Sequence, residues 1–309
     1  MPWPESLRSL LVGRCFSQNW SSVALPSSLQ SLTVDSLFNQ SFEEMAWPSN
    51  LQHLAFGFDL GQSFDGAALP DSLESLVFAQ FFNKSLAGFK WPSCLQSLKL
   101  GDGFNQSLAE VALPRSLKRL SFGNGFNQPL VGVTFPPRLE CLTFATGFNQ
   151  SLRGVQFPDG LKSVTFGHSF DQWLADAAWP SGLERLCLGD NFNQSLVAVS
   201  WPPSLESLTF GHSFNQRLVE AKWHVDWPSG LKSLAFGNSF NQSLAGVIWP
   251  SGLQILAFGH SFQQSLDGVA LPSSLQTLTL GGEFNSDLAG VSLPNLRRLA
   301  WADLVLSTE

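Results

Sequence analysis

Pro92–Leu113, PSCLQSLKLGDGFNQSLAEVAL, is the stretch that decides the fold, because the chain repeats it almost without interruption. Prolines stand at Pro4, Pro26, Pro48, Pro70, Pro92, Pro114, Pro136, Pro158, Pro180 and Pro202, always 22 residues apart. After one interval of 26 they resume at Pro228, Pro250, Pro272 and Pro294. With each proline counted as offset 0, leucines follow at offsets 3 and 6 and an apolar residue at 8. Phe-Asn-Gln occupies offsets 12 to 14, Leu holds 16, and Trp, Leu or Phe holds 21. A strict period of this length describes a solenoid, in which each unit buries its apolar face only against its neighbours.

Within the quoted unit, Leu98 and Leu100 alternate with Ser97 and Lys99, the period of a short strand with one buried face. Gly101 closes that strand. Gly or Ala holds this offset in the full repeats except at Asp35, which asks for either a positive φ or a close backbone approach. Phe104, Leu108, Val111 and Leu113 line the returning half. Proline fixes φ and withholds an amide, so it suits an extended corner. A proline every 22 residues, with no 3.6-residue stripe between, leaves little room for helix. The expected fold is a right-handed all-β and turn solenoid with few or no helices. We read residues 1–309 as a single repeat domain: thirteen full repeats from Pro4 to Leu293, a four-residue insertion near 220–226, and a partial repeat over 294–309.

The asparagine at offset 13 recurs as Asn39, Asn83, Asn105, Asn127, Asn149, Asn193, Asn215, Asn241 and Asn285. Pointing partly inward, its amide can satisfy turn backbone groups and form a ladder between coils. Asp171 and Gln263 keep similar chemistry at two departures. Seven N-x-S triplets, at Asn19, Asn39, Asn83, Asn105, Asn149, Asn193 and Asn241, are generated by the repeat itself and are read as coincidental.

The pattern L-x-x-L-x-F-G-x-x-F-N-Q-x-L-x-G-x-x-W-P resembles the FNIP-repeat family, a 22-residue relative of the leucine-rich repeats, from residue 4 to about 293. This chain mostly carries Phe-Asn-Gln-Ser where the family often has proline in fourth place, a version kept at Phe126-Asn127-Gln128-Pro129. The resemblance implies a leucine-rich-repeat-like coil, with one parallel strand per repeat on its inner face and extended segments outside, and it implies protein–protein interaction. It also implies, for an array joined to an F-box as in some protist relatives, presentation of targets to a ubiquitin ligase.

Composition narrows the function classes. Hydrophobic residues make up 44% of the chain and charged ones 13%, enough to bury a continuous core. The net charge of −7, with no basic run, argues against nucleic acid. No stretch approaches the length of a membrane helix, and the opening MPWPESLRSL is unlike a secretory signal, so a cytoplasmic protein is expected. Cys15, Cys94, Cys141 and Cys187 fall at unrelated offsets in separate coils, which reads as free thiols in a reducing compartment. The 27 Phe, 11 Trp and no Tyr suit a core that cannot satisfy phenolic hydroxyls.

No catalytic constellation emerges, and no cofactor or metal is implied. His168, Asp190 and His212 share offset 10, but alternate coils lie roughly 10 Å apart, too far for both imidazoles to converge on one ion. Glycine turns such as Gly101-Asp-Gly103 lack the phosphate-cradling order and a following helix. The chain is read as a non-catalytic scaffold that docks an unidentified protein or peptide. The candidate docking residues are Lys99, Arg119, Ser121, Thr143, Thr165, Arg185 and Thr209 on the outward strand positions. Trp223 and His224 on the insertion complete the set. Three further readings stay open: a filler array without a specific partner, a Ser/Thr face that orders ice or binds glycans, and end-to-end self-association through poorly capped ends.

Overall fold

The computed structural model describes residues 3–13, 23–35, 37–38, 45–57, 59–60, 68–220 and 223–301. The chain divides into two compact units, Met1–Phe148 and Asn149–Glu309. Both are parallel β-solenoids, and no helix occurs among the described residues. In the first unit the strands are β1 (Ser9–Val12), β2 (Ser31–Val34), β3 (Leu37–Phe38), β4 (His53–Phe56), β5 (Asp59–Leu60), β6 (Ser75–Val77), β7 (Ser97–Lys99), β8 (Arg119–Phe122) and β9 (Cys141–Phe144). β1, β2, β4, β6, β7, β8 and β9 pair in that order, all parallel, and β3 pairs with β5 on the returning half of the coil. The second unit contributes β10 (Ser163–Thr165), β11 (Arg185–Cys187), β12 (Ser207–Thr209), β13 (Val219–Glu220), β14 (Trp223–His224), β15 (Ser233–Ala235), β16 (Ile255–Ala257), β17 (Thr277–Leu280) and β18 (Arg298–Trp301). Its parallel sheet runs β10, β11, β12, β15, β16, β17, β18, while β13 and β14 form a separate antiparallel pair. Register follows the 22-residue period, so Leu98 faces Leu120 and Leu186 faces Leu208.

Three tight turns recur in the coils whose residues are all described, the coil with the insertion aside. The proline carbonyl accepts the amide of the offset-3 leucine, as in Leu183 N–H to Pro180 O at 3.1 Å. The offset-9 carbonyl accepts the amide of the offset-12 phenylalanine, Phe192 N–H to Gly189 O at 3.0 Å. The leucine carbonyl at offset 16 accepts the offset-19 amide, Val199 N–H to Leu196 O at 3.3 Å. Proline therefore opens a turn rather than merely stiffening a corner, and its missing amide costs no ladder bond. Of the two readings of the offset-9 glycine, close approach is correct: a Cβ built on Gly189 would lie 1.8 Å from Gly167 O. Positive φ belongs to offset 18 instead, at Gly88, Gly132, Gly154, Gly246 and Gly268, and also at Ala198, where φ is 60°.

The core is one side chain deep per coil. In the coil that starts at Pro180, Leu183, Leu186, Leu188, Phe192, Leu196 and Val199 are all buried. At roughly 1.5–3 kcal/mol for each large side chain fully buried, coil-to-coil contact supplies most of the favourable energy. The offset-12 phenylalanines stack in files, with Phe170–Phe192 at 6.3 Å, Phe192–Phe214 at 6.0 Å and Phe214–Phe240 at 6.0 Å between centroids. The offset-8 file nearer the strands is tighter, 5.5 Å for Phe210–Phe236 and 5.4 Å for Phe236–Phe258. Hydrogen-bonded strands are about 4.8 Å apart. Within the second unit, successive coils are thus wedges, narrow at the sheet and wide at the returning turns.

Candidate interaction surface

Strand alternation sends offsets 5 and 7 away from the core. In the first unit this sets Lys99 beside Ser121, Ser121 beside Thr143, and Ser97 beside Arg119 as lateral neighbours. Lys99 and Arg119 are exposed, and Ser121 and Thr143 are half-buried. In the second unit Thr165, Cys187 and Thr209 form one lateral file, with Arg185 in the other beside Ser163 and Ser207. The docking residues expected on strands therefore lie on outward sheet positions, Lys99, Arg119, Ser121 and Thr143 in the first unit and Thr165, Arg185 and Thr209 in the second. Trp223 and His224 are not brought to that face. The insertion folds as the β13–β14 hairpin, with Val219 opposite His224 and Glu220 opposite Trp223. Val225 N–H then bonds Leu218 O at 3.1 Å and re-enters the buried file, restoring the period. Trp223 is half-buried, and exposed His224 is held by Asp226 at 3.1 Å.

Pairing of the strand-entry cations differs between the two units, while outward Arg185 in the second, like Lys99 and Arg119 in the first, joins no ion pair among the described residues. In the second unit the strand-entry cations are neutralised, Lys162 by Glu184 at 3.8 Å and Lys232 by Glu206 at 2.5 Å. In the first, Lys99, Lys118 and Arg119 join no ion pair among the described residues.

The turn side carries the asparagine ladder. Asn83 Oδ1 accepts Asn105 N–H at 2.9 Å and Gln106 Nε2 at 3.0 Å, and Asn105 Oδ1 accepts the same pair from Asn127 and Gln128. In the second unit the bonds run from Asp171 to Asn149, Asn193 to Asp171, Asn215 to Asn193, Asn241 to Asn215 and Gln263 to Asn241. These side chains lie half-buried or exposed along the turn surface rather than pointing into the core. Gln263 turns its own amide to Glu283 at 2.9 Å, and among the described residues Asn285 takes no part in the ladder. Asn39 lies outside the described residues.

Sequence reading assigned the ladder to asparagine alone and missed the second donor, the glutamine at offset 14, although Gln follows Asn in almost every unit. It also missed two serine roles. Offset-2 hydroxyls bond the carbonyl of the previous coil, as Ser116 Oγ to Leu95 O at 2.7 Å. Offset-15 hydroxyls accept the amide two residues on, as Ala109 N–H to Ser107 Oγ at 3.2 Å. Trp173 replaces that serine and is half exposed.

No metal centre is assembled among the described residues. His168 Nδ1 meets Asp190 at 3.2 Å, whereas His212 Nδ1 sits 3.4 Å from Asn238 Nδ2, so the column is a file of polar turn contacts. Cys94, Cys141 and Cys187 are free thiols, and Cys15 lies outside the described residues. Burial, reinforced by the Asp190 carboxylate, pushes the Cys187 thiol up, which makes it a poor nucleophile. No helix among the described residues is long and apolar enough to cross a membrane.

Comparison with known proteins follows the same lines. The chain is 34% identical, with a TM-score of 0.87, to the crystal structure of CroV588, described as a novel circular LRR protein. That likeness covers 97% of this chain and 47% of CroV588, so the chain spans about half the length of this relative. An internalin from Listeria monocytogenes str. 4b F2365 aligns with 15% identity and a TM-score of 0.46 over 90% of this chain and 82% of the internalin. No curated protein matches the chain. The FNIP Repeat pattern matches in overlapping or abutting segments from residue 16 to 220 and from 240 to 296, and the first run stops within the hairpin insertion. The chain belongs to the FNIP repeat family.

Proposed function

We propose that the protein is a non-catalytic interaction scaffold that docks another protein on the outward face of its parallel sheet. The observation that carries this reading is the face itself. Short side chains in register, relieved by exposed Lys99, Arg119 and Arg185, leave the backbone relief shallow and accessible to an extended partner. Coils narrow at the sheet and wide at the turns make that face concave within the second unit, the side on which a solenoid presents its binding surface. The same wedge works against an ice-ordering role, which needs a flat lattice of hydroxyls. The free thiols fit a reducing, cytoplasmic setting.

Affinity capture with the whole chain, repeated with the Arg119→Ala/Arg185→Ala variant, tests the proposal. Specific proteins retained by the parent and lost with the variant support it. Equal retention places the surface elsewhere, and no retention by either favours an array without a specific partner.

A further inference from the structure

We infer that the first unit's part of this face takes an acidic, extended segment of the partner, anchored by one large apolar side chain. The inference rests on the docking reading above and adds the chemistry of the occupant. Three observations meet at the strands β7 and β8. Lys99 and Arg119 are exposed, project from the outward face of adjacent strands, and join no ion pair among the described residues. They are diagonal neighbours on parallel strands, one strand spacing across and two residues along, which places their Cα atoms roughly 8 Å apart. Carboxylates two residues apart on an extended chain repeat at about 6.7 Å, so one such pair spans both cations. Lys118 adds a third charge at the strand entry, with Gln96 and Glu140 as its neighbours in that row. In a chain of net charge −7, this row of cations joins no ion pair among the described residues, with Glu140 the carboxylate beside it.

Four residues before Arg119, exposed Arg115 lines a notch of about 390 Å3 with Phe89, Trp91, Pro92, Ala112 and Pro114. Phe89 stands at offset 19, where most repeats carry valine, and its ring lies edge-on to Trp91 at 4.4 Å. The notch is open, its wall mixes the rings of Phe89 and Trp91 and the prolines with Ser93, Arg115 and Ser116, and it has room for one large side chain. Arg115 to Arg119 spans at most about 14 Å of chain. A partner segment with an aromatic residue and, some four residues away, an acidic pair at i and i+2 fits both features. Charge complementarity of this kind governs orientation and association rate, and makes binding salt-dependent.

The test uses fluorescence anisotropy with the full chain and two fluorescein-labelled probes, Gly-Phe-Gly-Ser-Gly-Glu-Gly-Glu-Gly and its reversed sequence. Saturable binding of at least one is expected, weakening with added salt. Lys99→Glu/Arg119→Glu should weaken it by roughly tenfold or more. Replacing the probe's Phe by Gly, or filling the notch with Ala112→Trp, should each cost several-fold. Arg153→Glu/Arg217→Glu, which makes the same charge change on turn residues of the second unit, should leave binding unchanged. Absence of saturable binding to either probe overturns the inference. So does equal weakening by the control variant, or equal binding of a probe with Lys in place of Glu. If the probes fail while partner capture still depends on Arg119 and Arg185, the scaffold reading stands and only the acidic chemistry falls.

Discussion

Asn193→Ala isolates the ladder. Asn193 Oδ1 accepts two bonds from the next coil, Asn215 N–H at 2.9 Å and Gln216 Nε2 at 3.1 Å. Gln216 also donates to the Asn193 carbonyl at 2.8 Å, and that bond survives the substitution. The loss is therefore concentrated on the Asn215 amide, half-buried and left without an acceptor. An orphaned donor costs about 1–3 kcal/mol and a net hydrogen bond about 0.5–1.5, which places Asn193→Ala near 2 kcal/mol. Asn193→Asp keeps an oxygen in the same place, as the chain itself does with Asp171, whose Oδ1 accepts Asn193 N–H at 2.9 Å. It should cost clearly less than alanine, the remaining loss coming from like-charge repulsion with Asp171 on the adjacent coil and shrinking with added salt. Amide hydrogen exchange is the assay of choice, because a stacked array can open locally without unfolding as a whole. About 2 kcal/mol corresponds to roughly thirtyfold faster exchange at Asn215. An alanine variant with unchanged exchange, or an aspartate variant as damaging as alanine, would refute the assignment of the oxygen as the structural acceptor.

Other outcomes follow from single positions. Ala198→Gly should raise stability by about 0.5–1 kcal/mol in urea unfolding, because φ of 60° is strained for alanine at an offset where five other repeats place a left-handed glycine. Trp249→Phe should change stability by less than about 1.5 kcal/mol, since the buried Trp249 indole N–H has no acceptor and Phe135 and Phe157 fill the equivalent position; a loss of the size of a core truncation would count against this. The Asp71 carboxyl, held low by the Ser93 N–H bond at 3.0 Å, should titrate below the ordinary aspartate range in NMR. Because its folded pKa is depressed, its contribution is complete above the unfolded value and is lost as pH falls through the folded one. The stability difference between the parent and Asp71→Ala should therefore shrink in that acid window.

How much of this was legible before the structure depended on whether a residue's role was periodic. Leu98, Leu100 and Phe104 recur at fixed offsets, so their burial and the lateral register of Leu98 with Leu120 were readable from spacing. The offset-9 glycines were readable as a constraint but not as which one, because a close approach to Gly167 O depends on how the neighbouring coil is placed. Gln216 escaped because a recurring glutamine beside asparagine reads as surface, and only the inter-coil spacing turns its amide into a second donor. The hairpin Val219–His224 could not be read from Glu220-Ala-Lys222-Trp223, which lacks the Asn-Gly or Asp-Gly chemistry that announces a two-residue hairpin. The notch beside Arg115 had a visible signal, Phe89 in place of valine, but its meaning needed Trp91 and Pro114 brought alongside.

The most direct test of the docking reading is site-specific photo-cross-linking in a lysate. The photoreactive residue is placed in turn at Ser121 and Thr165 on the outward sheet positions and at Ser107 and Ser195 on the turns. Discrete protein adducts from Ser121 and Thr165, absent at Ser107 and Ser195, are the predicted result. Adducts from the turn positions with none from the sheet would contradict the central claim.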